Sequence, residues 1–509
     1  MAKRRRRNDK KVIAGKTKQL HETLKPNDNV TVPYGPVTVT RMAFELLEMD
    51  KVLSKLKRNQ GASVSEVCIA LVAHAMQMRG LSINRMEDLI EDKEKRMIYD
   101  LSEEVDKNDL YRIGSLLGDS IDPVIRHIDR MLREKLGLNF YEVFMDWSGS
   151  YIDGKPTEFI RFGHTKDHRP DRPQINIGLT MDAETKLPIG LTVVQGNIID
   201  VTHFKQTYEQ VKPFLSKDCL IVFDNGGYSD ENAKMIVKDG NHFLTRAQMN
   251  KSNDKIISSP KTQWEYIDDD ICAHRFRGNL GYTKCIYFSV SRYNELIESY
   301  YAKAERDYDE MLEIKAALTG RKKPRKKHRN GNMFVDTRLS YLFQLDGMTR
   351  QEAIENAVKR RISGREGYFV LMSSRSMTAS EMLSKYRSRN DIEDAYRDLK
   401  HGIDLRPLRC TGESSIKGRV LIAFLAYLVL SLTKFLVPEA REKTADTLVQ
   451  EMNSFSVTVV RDEGEVKDRI FSNFGWLMRA ILDRIPAIME AIPRGFRQKK
   501  MGDYCRRSN

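Results

Sequence analysis

Apolar residues recur at helical spacing from about residue 41 to residue 137. The stretch MAFELLEMDKVLSKLK carries them three and four positions apart, and ASVSEVCIALVAHAMQM contains the Ser63-x-x-Glu66 pattern of a capping box. Several short helices in a basic chain are typical of a DNA-binding domain, although small helical domains also serve for dimerisation. We predict a helical DNA-binding domain over residues 41–137.

The pattern changes to strands at Leu138. The runs NFYEVFMDWSGS, EFIRFGHT, QINIGLTMD and LPIGLTVVQG are separated by turn residues, and they predict three or four strands of an antiparallel meander. A helix over 202–215, the buried strand CLIVFDNGG, the helix SDENAKMIVKDG and the strand HFLTR follow. This order predicts a mixed α/β layer fold, with the first part of its core over residues 138–249.

Regular order is interrupted from 250 to 374, where we predict an inserted domain. The strand-like pieces TQWEYID and TKCIYFSV lead to a long charged helix over about 295–318. After this helix, seven of the nine residues from Arg321 to Arg329 are Lys or Arg. A charge run is often only a solvated surface, but a loop this basic is also suited to contact phosphates.

The chain returns to the core fold after the insertion. GREGYFVLMSSR reads as a strand, and MTASEMLSKYRSRNDIEDAYRDLK reads as one long helix in the second part of the core, over 375–437. The apolar run VLIAFLAYLVLSL spans 13 residues, whereas a membrane helix needs about 20. We therefore predict a buried core helix and no membrane partner. Residues 438–509 are predicted to form a helical C-terminal region.

Composition adds a polyanionic partner to this picture. The 509 residues include 85 Lys and Arg against 71 acids, which gives a net charge of +14 and favours nucleic acid as a partner. Seven of the nine residues from Lys3 to Lys11 are basic, so residues 1–40 are predicted to form a flexible basic tail. No apolar signal segment follows that tail, and the six cysteines form no C-x-x-C pair. Both features fit a cytoplasmic, nucleoid-associated protein.

Two aspartates follow predicted buried strands. Asp146 comes after FYEVFM and Asp224 after CLIVF. A carboxylate at a strand end is held firmly and stays open to substrate, although aspartates that start turns are common at the same position.

A set of polar residues recurs at helical spacing near residue 390. Tyr386, Arg389, Glu393 and Lys400 stand at intervals of three, four and seven, which places them on one face of a helix. An exposed ion-paired helix gives the same pattern. Glu393, however, would complete a set of three carboxylates with the two aspartates, Asp146 and Asp224. Such a set binds two divalent cations for phosphoryl transfer.

These residues resemble a known family. The pattern Tyr-x2-Arg-x3-Glu-x6-Lys is the signature of DDE transposases of insertion sequences. Other segments from about residue 139 to 430 are similar to that family, namely FMDWSGSYIDG, GHTKDHRPDRPQINIGLTMD, VVQGNIID, IVFDNGGYSDEN and LRPLRCTGESSIKGRVLIAFLAYLVL. One departure is Arg419, where related sequences often have a histidine.

The resemblance implies an RNase H-like catalytic core with a mainly β insertion. It also implies cleavage at element ends that uses two Mg²⁺ or Mn²⁺ ions held by Asp146, Asp224 and Glu393. Attack of the freed 3′-hydroxyl on target DNA would follow, with double-stranded DNA as partner and a homodimer pairing two ends. In the family, the motif's tyrosine, arginine and lysine contact DNA, and this role falls here on Tyr386, Arg389 and Lys400.

Further DNA contacts are less closely tied to a motif. A tryptophan of the family's inserted domain stacks on a displaced base, and Trp264 is the single tryptophan of this insertion. His164, Lys166, His168 and Arg169 form a polar cluster after Asp146. DNA contact or turn structure explains this cluster better than metal ligation does.

Two alternatives to a transposase remain open on sequence grounds. A domesticated descendant would bind DNA without catalysis, but it would be expected to lose one of the three carboxylates. An RNase H-like nuclease would cut without strand transfer, and the N-terminal helical domain and the long insertion count against it.

Overall fold

The computed structural model describes residues 29–56, 62–102, 105–163, 170–278, 280–318, 344, 346–402, 405, 408–462 and 465–484. The chain divides into two compact units. The first comprises residues 1–216 and 390–509, and the second comprises residues 217–389. The boundaries predicted at 249 and 374 both fall inside the second unit.

The first unit begins with helices that follow a short strand, β1 (Val30–Pro33). These helices are α1 (Gly35–Leu46), α2 (Asp50–Leu53), α3 (Val64–Met78), α4 (Glu87–Glu91), α5 (Lys93–Ile98), α6 (Lys107–Gly118) and α7 (Ile121–Leu136). The prediction that 41–137 is helical is confirmed. The predicted basic tail ends earlier than residue 40, because β1 and α1 are regular elements. Tyr34, Val37 and Val39 are buried there. Pro36 at the start of α1 suits a helix N-terminus.

An antiparallel meander follows, as predicted. It consists of β2 (Phe140–Tyr151), β3 (Gln174–Asp182) and β4 (Pro188–Gln195), and α8 (Asp200–Val211) packs on it. The prediction of a strand at EFIRFGHT is wrong for residues 158–163. Their only ladder contact in the described chain is the single bridge between Arg161 and Gln174.

The rest of the first unit is not purely helical. It contains α14 (Asn390–Arg397), α15 (Glu413–Leu436), α16 (Ala445–Ser454), β11 (Ser456–Asp462), β12 (Glu465–Ser472) and α17 (Trp476–Arg484). Strand β11 pairs with both β1 and β12 in an antiparallel sheet. The predicted helical C-terminal region is therefore wrong for this hairpin, whose alternating residues bury Val457 and Val459.

Helix α15 lies in the core of the first unit. It is long and apolar enough to span a membrane, yet 72% of its most apolar window is buried inside the protein, which confirms the predicted core helix. Its packing on α6 depends on small residues. A Cβ on Gly418 would lie 1.8 Å from the carbonyl oxygen of Gly114, and one on Gly118 would lie 1.9 Å from that of Ser414. The two helix backbones are therefore in direct contact.

The second unit contains most of β5 (Leu215–Phe223) and the elements that follow it. These are α9 (Asp230–Lys238), β6 (His242–Ala247), α10 (Lys251–Ile257), β7 (Glu265–Tyr266), β8 (Ile271–Arg277), β9 (Thr283–Ser289), α11 (Val290–Leu318), α12 (Arg350–Arg361), β10 (Tyr368–Ser373) and α13 (Ala379–Arg387). Strands β5 and β6 are parallel, and β10, β9, β8 and β7 continue antiparallel beyond β6. The predicted mixed sheet is confirmed.

The predicted mainly β insertion is wrong in its balance of elements. Within its described residues, α10, α11 and α12 are longer in total than β7, β8 and β9. Helices α11 and α12 pack together through Ala304, Met311, Ala353, Ala357 and Val358. The predicted basic loop at 321–329 lies outside the described residues.

Replacing Gly418 by alanine is expected to destabilise the first unit. The new methyl group would overlap the Gly114 carbonyl at 1.8 Å, so α6 and α15 would have to separate. We expect a loss of about 3 kcal/mol in the free energy of unfolding, the upper part of the usual range for overpacking. Urea unfolding monitored by circular dichroism measures this.

Gly412→Ala is the matched control, since the nearest atom to its added Cβ is the Ser415 hydroxyl at 3.5 Å. It precedes α15, so we expect a loss below about 1 kcal/mol from poorer capping. Equal losses in the two variants would contradict the proposed backbone contact.

Asp129 predicts a pH dependence of stability. Its carboxyl lies fully buried on α7, and neither oxygen has a hydrogen-bond partner among the described residues. Burial raises the pKa of Asp129 well above its usual value, although Arg133 acts against this. The folded state therefore holds this proton more tightly than the unfolded state. Its contribution to stability falls as the pH rises from the unfolded pKa towards the folded one.

Asp129→Asn is expected to gain stability relative to the unmodified protein as the pH rises from about 5 to about 8. Urea unfolding across that range measures the difference. Glu134→Gln, at an exposed position of the same helix, is the control and is expected to give a flat difference. A flat difference for Asp129→Asn would contradict the buried neutral carboxyl.

Candidate active site

Asp146 lies in the middle of a strand. The prediction of a strand-end position is wrong, because β2 continues to Tyr151 and pairs Asp146 with Leu179 of β3. The next residue, Trp147, is buried on the opposite face, and its indole N–H donates to the Thr207 hydroxyl at 3.0 Å. Since side chains alternate along a strand, this anchor turns the half-buried Asp146 side chain to the other face.

The helix that carries Glu393 is attached to the strand that carries Asp146. One turn after Glu393 on α14, the Tyr396 hydroxyl donates to the carbonyl oxygens of Asp146 at 2.8 Å and Ile177 at 2.9 Å. Burial raises the pKa of Tyr396 well above its usual value, and the Asp146 carboxylate adds to this. The hydroxyl therefore keeps its proton and remains a donor. Glu393 itself is exposed.

Two further residues of β2 form hydrogen bonds with the part of the chain that follows α14. The Lys400 ammonium donates to the Ser148 hydroxyl at 2.6 Å, and the Ser150 hydroxyl donates to the Leu405 carbonyl at 3.0 Å. Lys400 lies in a π-helical turn, Asp398–Gly402, and is only 8% exposed. Its predicted contact with DNA would therefore require the Lys400 side chain to become exposed.

The prediction of one long helix for the signature is wrong. Helix α13 ends at Arg387, residues 388 and 389 form a turn, and α14 begins at Asn390. The amide of Arg389 bonds to the Tyr386 carbonyl three residues back, which tightens the last turn. Ser388 also donates its hydroxyl to the Ser384 carbonyl, a competing bond that weakens helices.

Asp224 forms the centre of the charged group in the second unit. It directly follows β5, as predicted, and its carboxylate accepts a hydrogen bond from the Tyr386 hydroxyl at 2.8 Å. The Arg389 guanidinium lies 5.6 Å from the centre of the Tyr386 ring. Burial alone would raise the pKa of Asp224, but the Asn225 amide, Tyr386, Arg389 and Arg246 together lower it. The group is arranged to keep Asp224 ionised.

The remaining predicted residues fall in several places. Asp146, Glu393 and Lys400 belong to the first unit, whereas Asp224, Tyr386, Arg389 and Trp264 belong to the second. The Trp264 ring lies 6.2 Å from that of His274 and 6.0 Å from that of Tyr368. The cluster of His164, Lys166, His168 and Arg169 lies outside the described residues. In the described chain, no three His, Cys, Asp or Glu side chains are grouped as a metal site.

Three residues next to the carboxylates were not singled out from the sequence. Trp147 and Tyr396 anchor β2 and α14, and Arg246 adds positive charge near Asp224. Trp147 directly follows Asp146, and Tyr396 lies three residues after Glu393, so adjacency was an available signal for both. Arg246 lies on β6, and only the parallel pairing of β5 with β6 brings it near Asp224.

The sequence matches the family model described as "Transposase DDE domain" over residues 141–429, more than half of the chain. The protein belongs to this family of DDE transposases. The match includes both aspartates, the insertion and the signature, which agrees with the resemblance drawn from the sequence.

A cryo-EM structure of a piggyBac transposase synaptic complex with hairpin DNA is similar to this chain at 12% sequence identity. The alignment covers 83% of this chain and 80% of that chain, with a TM-score of 0.38. No curated protein sequence matches the chain significantly.

Tyr396→Phe is expected to loosen the attachment of α14 to β2. The substitution removes the hydroxyl and leaves two buried carbonyl oxygens without this donor. We expect a loss of about 1–3 kcal/mol in the free energy of unfolding. Urea unfolding measures this loss. Tyr141→Phe is the control, because Tyr141 lies on β2, the strand that Tyr396 contacts, and is 61% exposed. Equal stability of the two variants would contradict the anchoring role.

Proposed function

We propose that this transposase cleaves DNA at the ends of an insertion sequence and joins the freed 3′-hydroxyl to target DNA in a metal-dependent reaction. The observation that carries the proposal is the bond from the Tyr386 hydroxyl to the Asp224 carboxylate, 2.8 Å across 162 positions of sequence. It pairs the first residue of the family signature with one of the predicted catalytic carboxylates.

The carboxylates of Asp146, Asp224 and Glu393 are proposed to hold two Mg²⁺ or Mn²⁺ ions. Their donor set fits hard divalent cations, which prefer carboxylate oxygens. The low pKa of Asp224 keeps that group ionised for such a role. When bound, the ions would activate the attacking oxygen and stabilise the leaving one. An RNase H-like core is the fold proposed to present the carboxylates.

Cationic and aromatic side chains near the carboxylates are proposed to bind the DNA strand. Arg389 and Lys400 would offset phosphate charge, and the Tyr386 hydroxyl would exchange its bond to Asp224 for a phosphate oxygen. Trp264 is half-buried beside two aromatic rings and is proposed to stack on a displaced base. His164, Lys166 and Arg169 are proposed to make further contacts with the phosphate backbone of the DNA.

Pairing two element ends requires two active sites, so we propose a homodimer on double-stranded DNA. Its proposed location is the cytoplasm, in association with the nucleoid, because its substrate is chromosomal DNA.

Glu393→Gln tests the proposal. Duplexes that carry inverted repeats, if such repeats flank the coding gene, supply end-containing DNA, and gel analysis of joined products measures strand transfer with Mg²⁺. Loss of a metal-binding carboxylate is expected to lower transfer at least about 100-fold, since even outer groups of metal sites change activity 10–100-fold.

Asp394→Asn is the matched control on α14, where Asp394 is exposed and ion-paired with Arg397. It is expected to keep transfer activity. Undiminished transfer by Glu393→Gln would overturn the carboxylate assignment. Cleavage without joining by the unmodified protein would favour a nuclease, and DNA binding without either step would favour a domesticated binding protein.

A further inference from the structure

A cavity of about 470 Å³ lies in the first unit, apart from the carboxylates. Its walls come from the loop Gly80–Arg85, from helix α6, and from the chain between Leu408 and the first turns of α15. The family match begins at residue 141, so two of these walls precede the matched region and the third lies inside it. The volume lies in the range of about 300–1,000 Å³ that is usual for ligand pockets.

Close helix packing builds the cavity. The glycine contacts between α6 and α15 bring Ser115 and Ser415 together, and their hydroxyls hydrogen-bond at 2.9 Å. The Arg419 guanidinium, on α15, donates to the Leu81 carbonyl and so attaches the Gly80–Arg85 wall to α15. These contacts hold the polar lining in place before any ligand arrives.

The charge of the lining is positive. Arg85, Arg409 and Arg419 all face the cavity, and its described lining residues include no Asp or Glu. None of the three arginines forms an ion pair with a described residue. A guanidinium has five N–H donors, and Arg419 uses one of them on Leu81. Three like charges around one space are stabilised by an anion that enters it.

The rim suits a polymer as well as a free anion. Arg85 and Arg409 are exposed, and Tyr111 is 39% exposed at the rim, with its hydroxyl bonded to Asn84 at 2.5 Å. The cavity therefore opens to the surface on its cationic side, and an aromatic ring lies beside the opening. A phosphodiester can enter such an opening while its strand continues on either side.

We propose that this cavity binds a phosphate group of DNA through Arg85, Arg409 and Arg419. The inference rests on the proposed function, because DNA is the polyanion on which a transposase acts. Arginine pairs with phosphate through two parallel N–H bonds, and the serine hydroxyls of the lining supply further donors. Arg419, the departure from related sequences, is thereby given a role in binding.

The test is the salt dependence of DNA binding by the full chain. Fluorescence anisotropy with a short labelled duplex, in a chelator that prevents cleavage, gives the slope of log K against log salt. The variant Arg85→Gln/Arg409→Gln removes the two exposed cations. We expect its slope to be shallower by about 1, since the cavity is proposed to bind one phosphate and each lost phosphate contact changes the slope by about 1. Arg126→Gln, exposed on α7 and outside the cavity, is expected to keep the original slope.

Three outcomes decide the proposal. A shallower slope in the double variant, with an unchanged unfolding midpoint, supports it. An unchanged slope overturns it. If the slope is unchanged but calorimetric titration with deoxyadenosine monophosphate loses its binding signal in the variant, the cavity is a free-nucleotide site instead. The measurement needs no strand transfer, so it is independent of the outcome for Glu393→Gln.

Discussion

The bond from the Tyr396 hydroxyl to the Asp146 carbonyl is the constraint on which the candidate site of the first unit depends. It fixes α14 on β2, and Glu393 lies one turn away on the same helix. The attachment is to backbone oxygens, so it does not involve the carboxylate of Asp146 or that of Glu393. Buried hydrogen bonds of this kind contribute only about 1 kcal/mol net, but their loss leaves desolvated acceptors behind. Their main effect here is therefore to position one acidic side chain relative to another.

The two aspartates are held by different physical means. Asp146 is oriented by strand alternation, because Trp147 is locked into the core by Thr207 on the opposite face. Asp224 follows the end of its strand and depends on charge: Tyr386, Arg389 and Arg246 lower its pKa against the effect of burial. A packing defect at Thr207 would therefore change the orientation of the Asp146 side chain. Loss of Arg389 or Arg246 would instead raise the pKa of Asp224.

Several parts of this arrangement were predictable from local sequence. Alternation predicted the meander, the apolar run predicted the buried α15, and the spacing from Tyr386 to Lys400 singled out candidate residues. The break at 388–389 and the π-helical turn at Lys400 were not predictable from spacing, because helical periodicity assumes one unbroken helix. The sheet of β1, β11 and β12 joins segments more than 400 residues apart, a pairing that no local pattern specifies. The contribution of Arg246 depends on sheet order in the same way.

Adjacent positions on α15 combine packing with charge. Gly418 permits α6 to approach until the backbones touch, and the adjacent Arg419 donates to the Leu81 carbonyl in the lining of the cavity. A larger residue at 418 would move the helices apart and widen the cavity. The three arginines of the lining would then lie too far apart to bind one phosphate group together. The glycine at 418 is therefore needed both for the close packing of the helices and for the position of the Arg419 guanidinium. This explains why a basic residue at 419 is tolerated within a largely apolar helix: it lies where that helix meets the polar lining of the cavity.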